Sequence, residues 1–223
     1  MDKIIQNLQF TINDKLFVKD PETSSLGKKI LQNSITLIDE IGFEAFTFKK
    51  LGEQIGSNES SIYRYFENKH KLLIYLSTWY WSWVEYQLVF STMGIKNPEE
   101  KLNEALKIIT KKVENDKNTT YIDEAILHRI ITAEYTKTFL TKDVDAENKE
   151  GYFVVYKRII VRLIEMIEAV NPNYNYSKSL ASSVVEGILH QRYLKEHFTS
   201  ITNLTEKDCL FEFYSDLVKK ALQ

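Results

Sequence analysis

The sequence predicts an all-α protein in two parts, a small three-helix domain followed by a larger helical body. Three observations carry this. Apolar residues recur at intervals of three and four through most of the 223 positions, the spacing of a buried helix face. Residues that start and stop helices punctuate those stretches, with Thr47, Asn58 and Asn97-Pro98 ahead of them and Gly56 and Asn171-Pro172 behind. A hydrophobic content of 43% is ample for a core at this length.

Residues 1–22 precede the first helix as an arm. Phe10-Thr11-Ile12 and Leu16-Phe17-Val18 flank Asn13-Asp14, a pattern that predicts a short N-terminal β-hairpin closed by Pro21. Such an arm either packs on the body or reaches DNA or a second subunit. From Ser24 or Ser25 to Ile41 a broad stripe of Ile30, Leu31, Ile35, Leu37, Ile38 and Ile41 marks a helix on which others pack. Thr47 is placed to cap a second helix with Phe48, Leu51 and Ile55 on its apolar side, and Gly56 stops it. Asn58 then caps a third helix, in which Ile62 and Phe66 share one face while Glu59, Ser60, Tyr63 and Arg64 point elsewhere. A helix this short is not stable alone. Its inner face must pack on its neighbours, which leaves the outer face for a partner, the logic of a helix-turn-helix.

After Lys69 a long helix is expected to about residue 91, with Leu72, Leu76, Trp79 and Trp83 on one face. Asn97-Pro98-Glu99-Glu100 starts a helix running to about 114, followed by a turn at 115–118. Helix 120–138, a polar interruption at 141–148, and an apolar helix 152–170 ending at Asn171-Pro172 come next. The last two helices are 177–198 and 205–222, the latter opened by Thr205-x-x-Asp208, close to a capping box. Ala181, Ser182, Ser183 and Gly187 let helix axes approach closely, and Leu210, Phe213, Tyr214, Leu217 and Val218 form a face wider than one contact needs. Two such helices from each of two subunits make an intermolecular four-helix bundle.

Gly42-Phe43, Thr47, Leu51-Gly52, Gly56, the run Ser61-Ile62-Tyr63-Arg64-Tyr65-Phe66, Lys69 and Leu72-Leu73 together resemble the amino-terminal domain of TetR-type transcriptional repressors. The resemblance covers about fifty residues; beyond them the chain is similar only in being helical. It implies a DNA-binding domain at 23–70 and a regulatory and dimerisation domain at 71–223 whose last two helices pair in a homodimer, and the arm at 1–22 is longer than the family needs. Ser57 stands where the family usually has an apolar residue and Gly52 where it has alanine. Gly52 is expected to cost about 1 kcal/mol relative to alanine in a helix interior and to loosen the turn.

The resemblance also places roles. Thr47 suits a phosphate, and Lys49 a phosphate or a guanine edge. Glu59, Ser60, Ser61, Tyr63 and Arg64 occupy the exposed face of the recognition helix, with Arg64 matched to guanine O6 and N7 and Glu59 to cytosine N4. Tyr63, Tyr65 and Lys69 suit phosphates. An operator of near-palindromic double-stranded DNA, a repressing action and release by an unknown small-molecule inducer follow as expectations. Trp79, Trp83, Tyr86, His128, Tyr135 and Tyr156 are the candidate lining of an apolar, aromatic ligand pocket.

Composition limits the alternatives. Lys plus Arg total 29 against 31 Asp plus Glu, a net charge of -2, which excludes indiscriminate coating of nucleic acid and makes any DNA contact local. Cys209 stands alone, so no internal disulfide forms. The amino terminus lacks a secretory signal and no segment approaches a membrane span, so a cytoplasmic place is expected. Glu124/His128 and Glu186/His190 are each four apart, whereas a di-iron bundle uses a spacing of three, so no metal or other cofactor is implied. No catalytic residue is identified and no enzyme is expected. The competing reading is a helical protein that binds metal or small molecules, or an enzyme, and does not act on DNA.

Overall fold

Among the residues described by the computed structural model, 10–115, 121–204 and 209–223, the fold is all-α with no strand. Local capping chemistry explains the first elements. Ser24 Oγ accepts from the Gly27 amide to open α1 (Ser25–Ala45), which is broken at Gly42, where φ is +76°. Thr47 Oγ1 accepts from the Lys50 amide to open α2 (Phe48–Ile55), and Gly56 closes it in the left-handed region. Asn58 Oδ1 accepts from the Ser61 amide to open α3 (Glu59–Tyr63).

The long helix α4 (Lys69–Thr92) is buried on every side from Leu72 to Glu85, rather than along the single stripe expected. α5 (Pro98–Thr110) starts at Asn97 as expected and ends earlier than expected. α6 (Glu124–Ala133) and α7 (Tyr135–Phe139) replace the single helix expected at 120–138. The break falls at Glu134, whose backbone leaves helical geometry while its buried carboxylate turns to other partners. α8 (Val144–Lys149) lies in the stretch expected to be an interruption, its Glu147 buried and 2.7 Å from His70 Nε2. α9 (Val154–Val170), α10 (Ser177–His197) and α11 (Cys209–Ala221) complete the chain. The Thr205-x-x-Asp208 start and most of the 115–118 turn lie outside the described residues.

Contacts divide the chain into two compact units, Met1–Tyr80 with Val113–Phe153, and Trp81–Lys112 with Val154–Gln223. The first holds the helix-turn-helix, with Ile30, Leu31, Ile35, Leu51, Ile62 and Phe66 in its core. In the second, α9 packs on α10 and α5, and α11 on α5 and α10. A Cβ at Gly187 would lie 2.4 Å from the Tyr214 hydroxyl, so the close approach expected of the small residues is used at α10 and α11.

The expected hairpin is not formed. Asn13 Oδ1 accepts from the Lys15 amide and the chain turns into a 3-10 helix at Asp14–Leu16. Asn-Asp lacks the glycine that favours a two-residue hairpin turn. Leu16 is fully buried, a second 3-10 turn follows at Pro21–Thr23, and Glu22 is driven inward. Trp79 Nε1 donates to Glu22 Oε1 at 3.1 Å, with the Tyr75 hydroxyl at 3.5 Å and the Tyr121 hydroxyl also bonded to the carboxyl. Burial pushes the Glu22 carboxyl above its ordinary value despite the opposing bonds from Tyr121 and Trp79.

Gly52 proves necessary rather than costly. A Cβ there would sit 2.9 Å from the Ser57 carbonyl oxygen and 3.2 Å from the Glu59 nitrogen, both backbone atoms of the turn into α3. The propensity gain of about 1 kcal/mol on replacing glycine by alanine is therefore opposed by overpacking worth about 1–3 kcal/mol. Gly52→Ala is expected to lower stability by about 1 kcal/mol net, read from the denaturant midpoint at unchanged slope. A second expectation concerns pH. Because the folded state raises the Glu22 carboxyl, it holds a proton that the unfolded chain has released, so stability falls as pH rises from the ordinary carboxylate range through the raised value. Glu22→Gln should be the more stable protein at neutral pH and lose that advantage below about pH 4, as unfolding curves at both pH values would show. A wild type more stable than the variant at neutral pH would refute this.

Candidate nucleic-acid interface

α2 and α3 meet through the tight turn at Gly56-Ser57-Asn58, where the Ser57 amide donates to the Gly52 carbonyl at 2.9 Å. Ile62, Phe66, Leu51 and Ile55 face inward, so the opposite side of α3 is presented to solvent. Arg64 follows the helix directly, its amide donating to the Ile62 carbonyl, and its side chain is exposed with no hydrogen bond or ion pair among the described residues. Its five donors are available to a guanine edge. Lys49 is likewise exposed and uncommitted on α2, and Thr47 is exposed at the amino end of that helix. These positions, expected to meet DNA, are all exposed.

The other expected contacts are more constrained. Tyr63 is 48% exposed, stacks edge-on against Phe48 at 5.0 Å, and donates to Glu59 Oε1 at 3.3 Å. That bond ties Glu59 to the helix surface and orients its carboxylate. Ser60 and Ser61 hydroxyls both donate to Asn58 Oδ1, at 2.8 and 2.7 Å, so they reinforce the cap. Tyr65 and Lys69, expected at phosphates, are engaged internally. Tyr65 is 4% exposed, its hydroxyl 2.8 Å from Ser24 Oγ. The Lys69 ammonium donates to the carbonyls of Phe43, Glu44 and Phe46 at 3.0, 3.1 and 3.2 Å and lies over the Phe43 ring. Sequence reasoning missed those partners, Ser24 for Tyr65 and the 43–46 carbonyls for Lys69, because no local pattern marks a contact across more than twenty residues.

The six expected pocket residues fall into both units. In the first, Trp79 bonds to Glu22, and His128 Nδ1 lies 2.7 Å from the Tyr80 hydroxyl, while Tyr135 stacks on Phe139 at 4.9 Å. In the second, Trp83 and Tyr156 are buried and Tyr86 is half-buried. The Tyr156 hydroxyl donates to Glu186 Oε1 at 3.1 Å, and its ring lies 5.2 Å from that of Trp81. The second unit also buries Glu85, which accepts from Arg158 and from Arg162 Nε at 2.8 Å. Burial would raise this carboxyl, but the hydrogen bonds and charges of the two arginines outweigh it and hold the group below its ordinary value. Among the described residues no group of three or more His, Cys, Asp and Glu side chains is arranged to hold a metal, and no helix is long and apolar enough to cross a membrane.

Residues 30–76 match the family model of the bacterial regulatory proteins of the tetR family. No curated protein matches the chain. Among solved structures, the fold is similar to that of AibR in complex with isovaleryl coenzyme A and operator DNA, at 18% identity and a TM-score of 0.59, over 87% of this chain and 98% of that one. It is equally similar to the fatty acid degradation regulator FadR from Bacillus halodurans, at 16% identity and a TM-score of 0.60, over 85% and 92%. The superantigen PfiT shares the fold as well, at 18% identity and a TM-score of 0.60, over 92% and 99%. The resemblance carried by residues 42–73 thus holds, and residues 30–76 are of the TetR amino-terminal type.

Proposed function

We propose that this chain, with its TetR-type reading head, is a repressor that binds a near-palindromic operator as a homodimer and is released by a small-molecule inducer. The observation that carries the reading is the capped α2–α3 pair, which buries Ile62 and Phe66 and leaves Thr47, Lys49, Tyr63 and Arg64 exposed. In this reading residues 23–70 read DNA, and 71–223 bind the signal and the second subunit. Arg64 and Lys49 contact bases or phosphates directly, while Glu59 repels phosphate and so sharpens choice at some cost in affinity. The protein is not an enzyme in this reading, and its place is the cytoplasm.

The inducer is taken to bind in the aromatic body, and an acyl thioester or a fatty acid is the first class to test, on the precedent of AibR with its isovaleryl coenzyme A and of FadR. Control requires that the inducer bind the DNA-incompetent state more tightly than the competent one. A shared fold does not settle function, as the superantigen of the same fold illustrates. The capped reading head favours DNA over the competing helical binding protein or enzyme.

Dimerisation through α10 and α11 is supported by Phe213 and Leu217, which stay 43% and 42% exposed on α11 in the single chain. Such apolar exposure on one helix face suits a symmetric contact with the same face of a second copy.

Two measurements test the reading. Selection of bound duplexes from a random library should return a palindromic consensus, and Arg64→Ala should weaken binding to it by about 1–3 kcal/mol while relaxing the choice at one position of each half-site. Equal selectivity by both proteins would remove Arg64 from base reading. Phe213→Asp combined with Leu217→Asp should shift the protein from dimer to monomer in light scattering, and a dimer that survives the double change would place the interface elsewhere.

A further inference from the structure

The helix-turn-helix is complete from Ser24 onward, yet the residues ahead of α1 are committed to it. The Val18 amide donates to the Tyr65 carbonyl at 2.8 Å, Ser24 Oγ and the Tyr65 hydroxyl lie 2.8 Å apart, and the Lys19 ammonium sits 5.3 Å from the centre of the Tyr65 ring. Tyr65 is the residue directly after Arg64, and its own amide donates back to Ile62 at 2.8 Å. The arm therefore grips the carboxyl end of the recognition helix at its backbone and at its side chain.

The grip is itself anchored. The Pro21 turn lies so close on α1 that a Cβ at Gly27 would fall 2.1 Å from the Pro21 carbonyl oxygen, so glycine is what lets the turn seat. Glu22 is inserted beside Trp79 and Tyr75 on α4, Leu16 is fully buried, and Phe17 packs edge-on against Tyr75 at 6.0 Å. Further back, the Lys71 ammonium donates to the Lys15 carbonyl at 3.0 Å, and Lys15 pairs with Glu150.

We infer that residues 16–24 form a strap that fixes the pitch of the recognition helix, which makes Val18, Ser24 and Gly27 positioning residues for DNA reading. The inference rests on the DNA-binding reading above. α3 spans five residues, well short of the length at which a helix holds its own shape. Burial of Ile62 and Phe66 sets how deep it sits, and the two hydrogen bonds at Tyr65 set how it is rotated. Base recognition demands side chains held within about 0.5 Å, whereas phosphate attraction depends on charge and tolerates displacement. A slack strap should therefore spare non-specific binding and erode the choice of sequence.

The test uses the full chain, the operator selected with wild type, and a random duplex of the same length. Tyr65→Phe removes only the hydroxyl. Val18→Pro removes the amide donor, and the extended Phe17 before it suits a following proline. Gly27→Ala displaces the Pro21 turn by contact. With the fold of each variant checked by circular dichroism and thermal unfolding, every one is expected to lower the ratio of operator to random affinity, and Val18→Pro combined with Tyr65→Phe to lose operator affinity by about tenfold, with random-duplex affinity held within about threefold. An unchanged ratio of operator to random affinity, or a parallel fall in both, overturns the strap as a positioning device. A wild-type protein that selects no consensus overturns the DNA reading, and the strap with it. Tyr65→Phe alone keeps the experiment decisive should the proline variant fail to fold, since it is expected to lower the ratio by itself and an unaltered ratio counts against the inference.

Discussion

Everything presented to solvent by the reading head depends on the burial of Ile62 and Phe66 under a helix too short to persist by itself. α3 has few internal hydrogen bonds, so its shape is imposed by what surrounds it. Asn58 satisfies the Ser61 amide, Gly52 lets α2 press against the turn, and Phe66 plugs the far end against Tyr75 of α4 at 5.3 Å. Such a helix acts as a lid whose hinges are all tertiary. Its orientation therefore responds to small displacements of its neighbours, a useful property where DNA affinity has to be switched.

The link from α1 into α2 is built on the same plan. Gly42 breaks α1, and the Phe43 amide beyond the break is accepted by Glu134 Oε1 at 3.3 Å. Glu134 is also held by Lys137 at 2.6 Å, and Lys137 reaches Glu44 at 3.4 Å. On the other flank Lys69 collects the carbonyls of Phe43, Glu44 and Phe46. The turn that delivers Thr47 is thus clasped between a carboxylate from the α6–α7 break and an ammonium from the start of α4. Arg129 adds a two-pronged bond to Asp39 about one turn upstream, at 3.1 and 2.7 Å. These bonds join α6 and α7 to the carboxyl end of α1, which leads into the amino end of α2.

The sequence made some of this legible. Thr47, Gly56 and Asn58 act within three residues of their own position, so capping rules found both bounds of α2 and the start of α3, whereas α3 ends at Tyr63, short of the Phe66 expected within it. The break at Glu134 was not legible, because the side chain that favours it bonds to an amide ninety-one residues earlier. α8 was hidden for the same reason. Its polar residues read as a loop until Glu147 finds His70 across the fold. The arm was misread as a hairpin because period-two patterning cannot tell a strand from an extended segment whose amides go elsewhere, as the Val18 amide goes to the turn after α3. Local chemistry predicts elements and their ends, and distant pairs decide what the ends hold.

Charge shows how the two kinds of information combine. Residues 26–72 carry seven cations, Lys28, Lys29, Lys49, Lys50, Arg64, Lys69 and Lys71, and the fold ties most of them down. Lys28 lies over the Tyr121 ring, Lys29 donates to the Ile55 carbonyl at 2.7 Å, and Lys50 to the Ala45 carbonyl at 2.8 Å. Lys69 and Lys71 are bonded as described above. Several of these ammonium groups sit on carbonyls at the carboxyl ends of α1 and α2, where they complement the helix dipole as well as the unpaired acceptors. Bonded in this way, they have a restricted reach. Lys49 and Arg64 are the cations left with full freedom to approach a partner. A nearly neutral chain that spends its cations on its own helix ends gains little from bulk attraction to DNA, so its discrimination must come from where α3 is held.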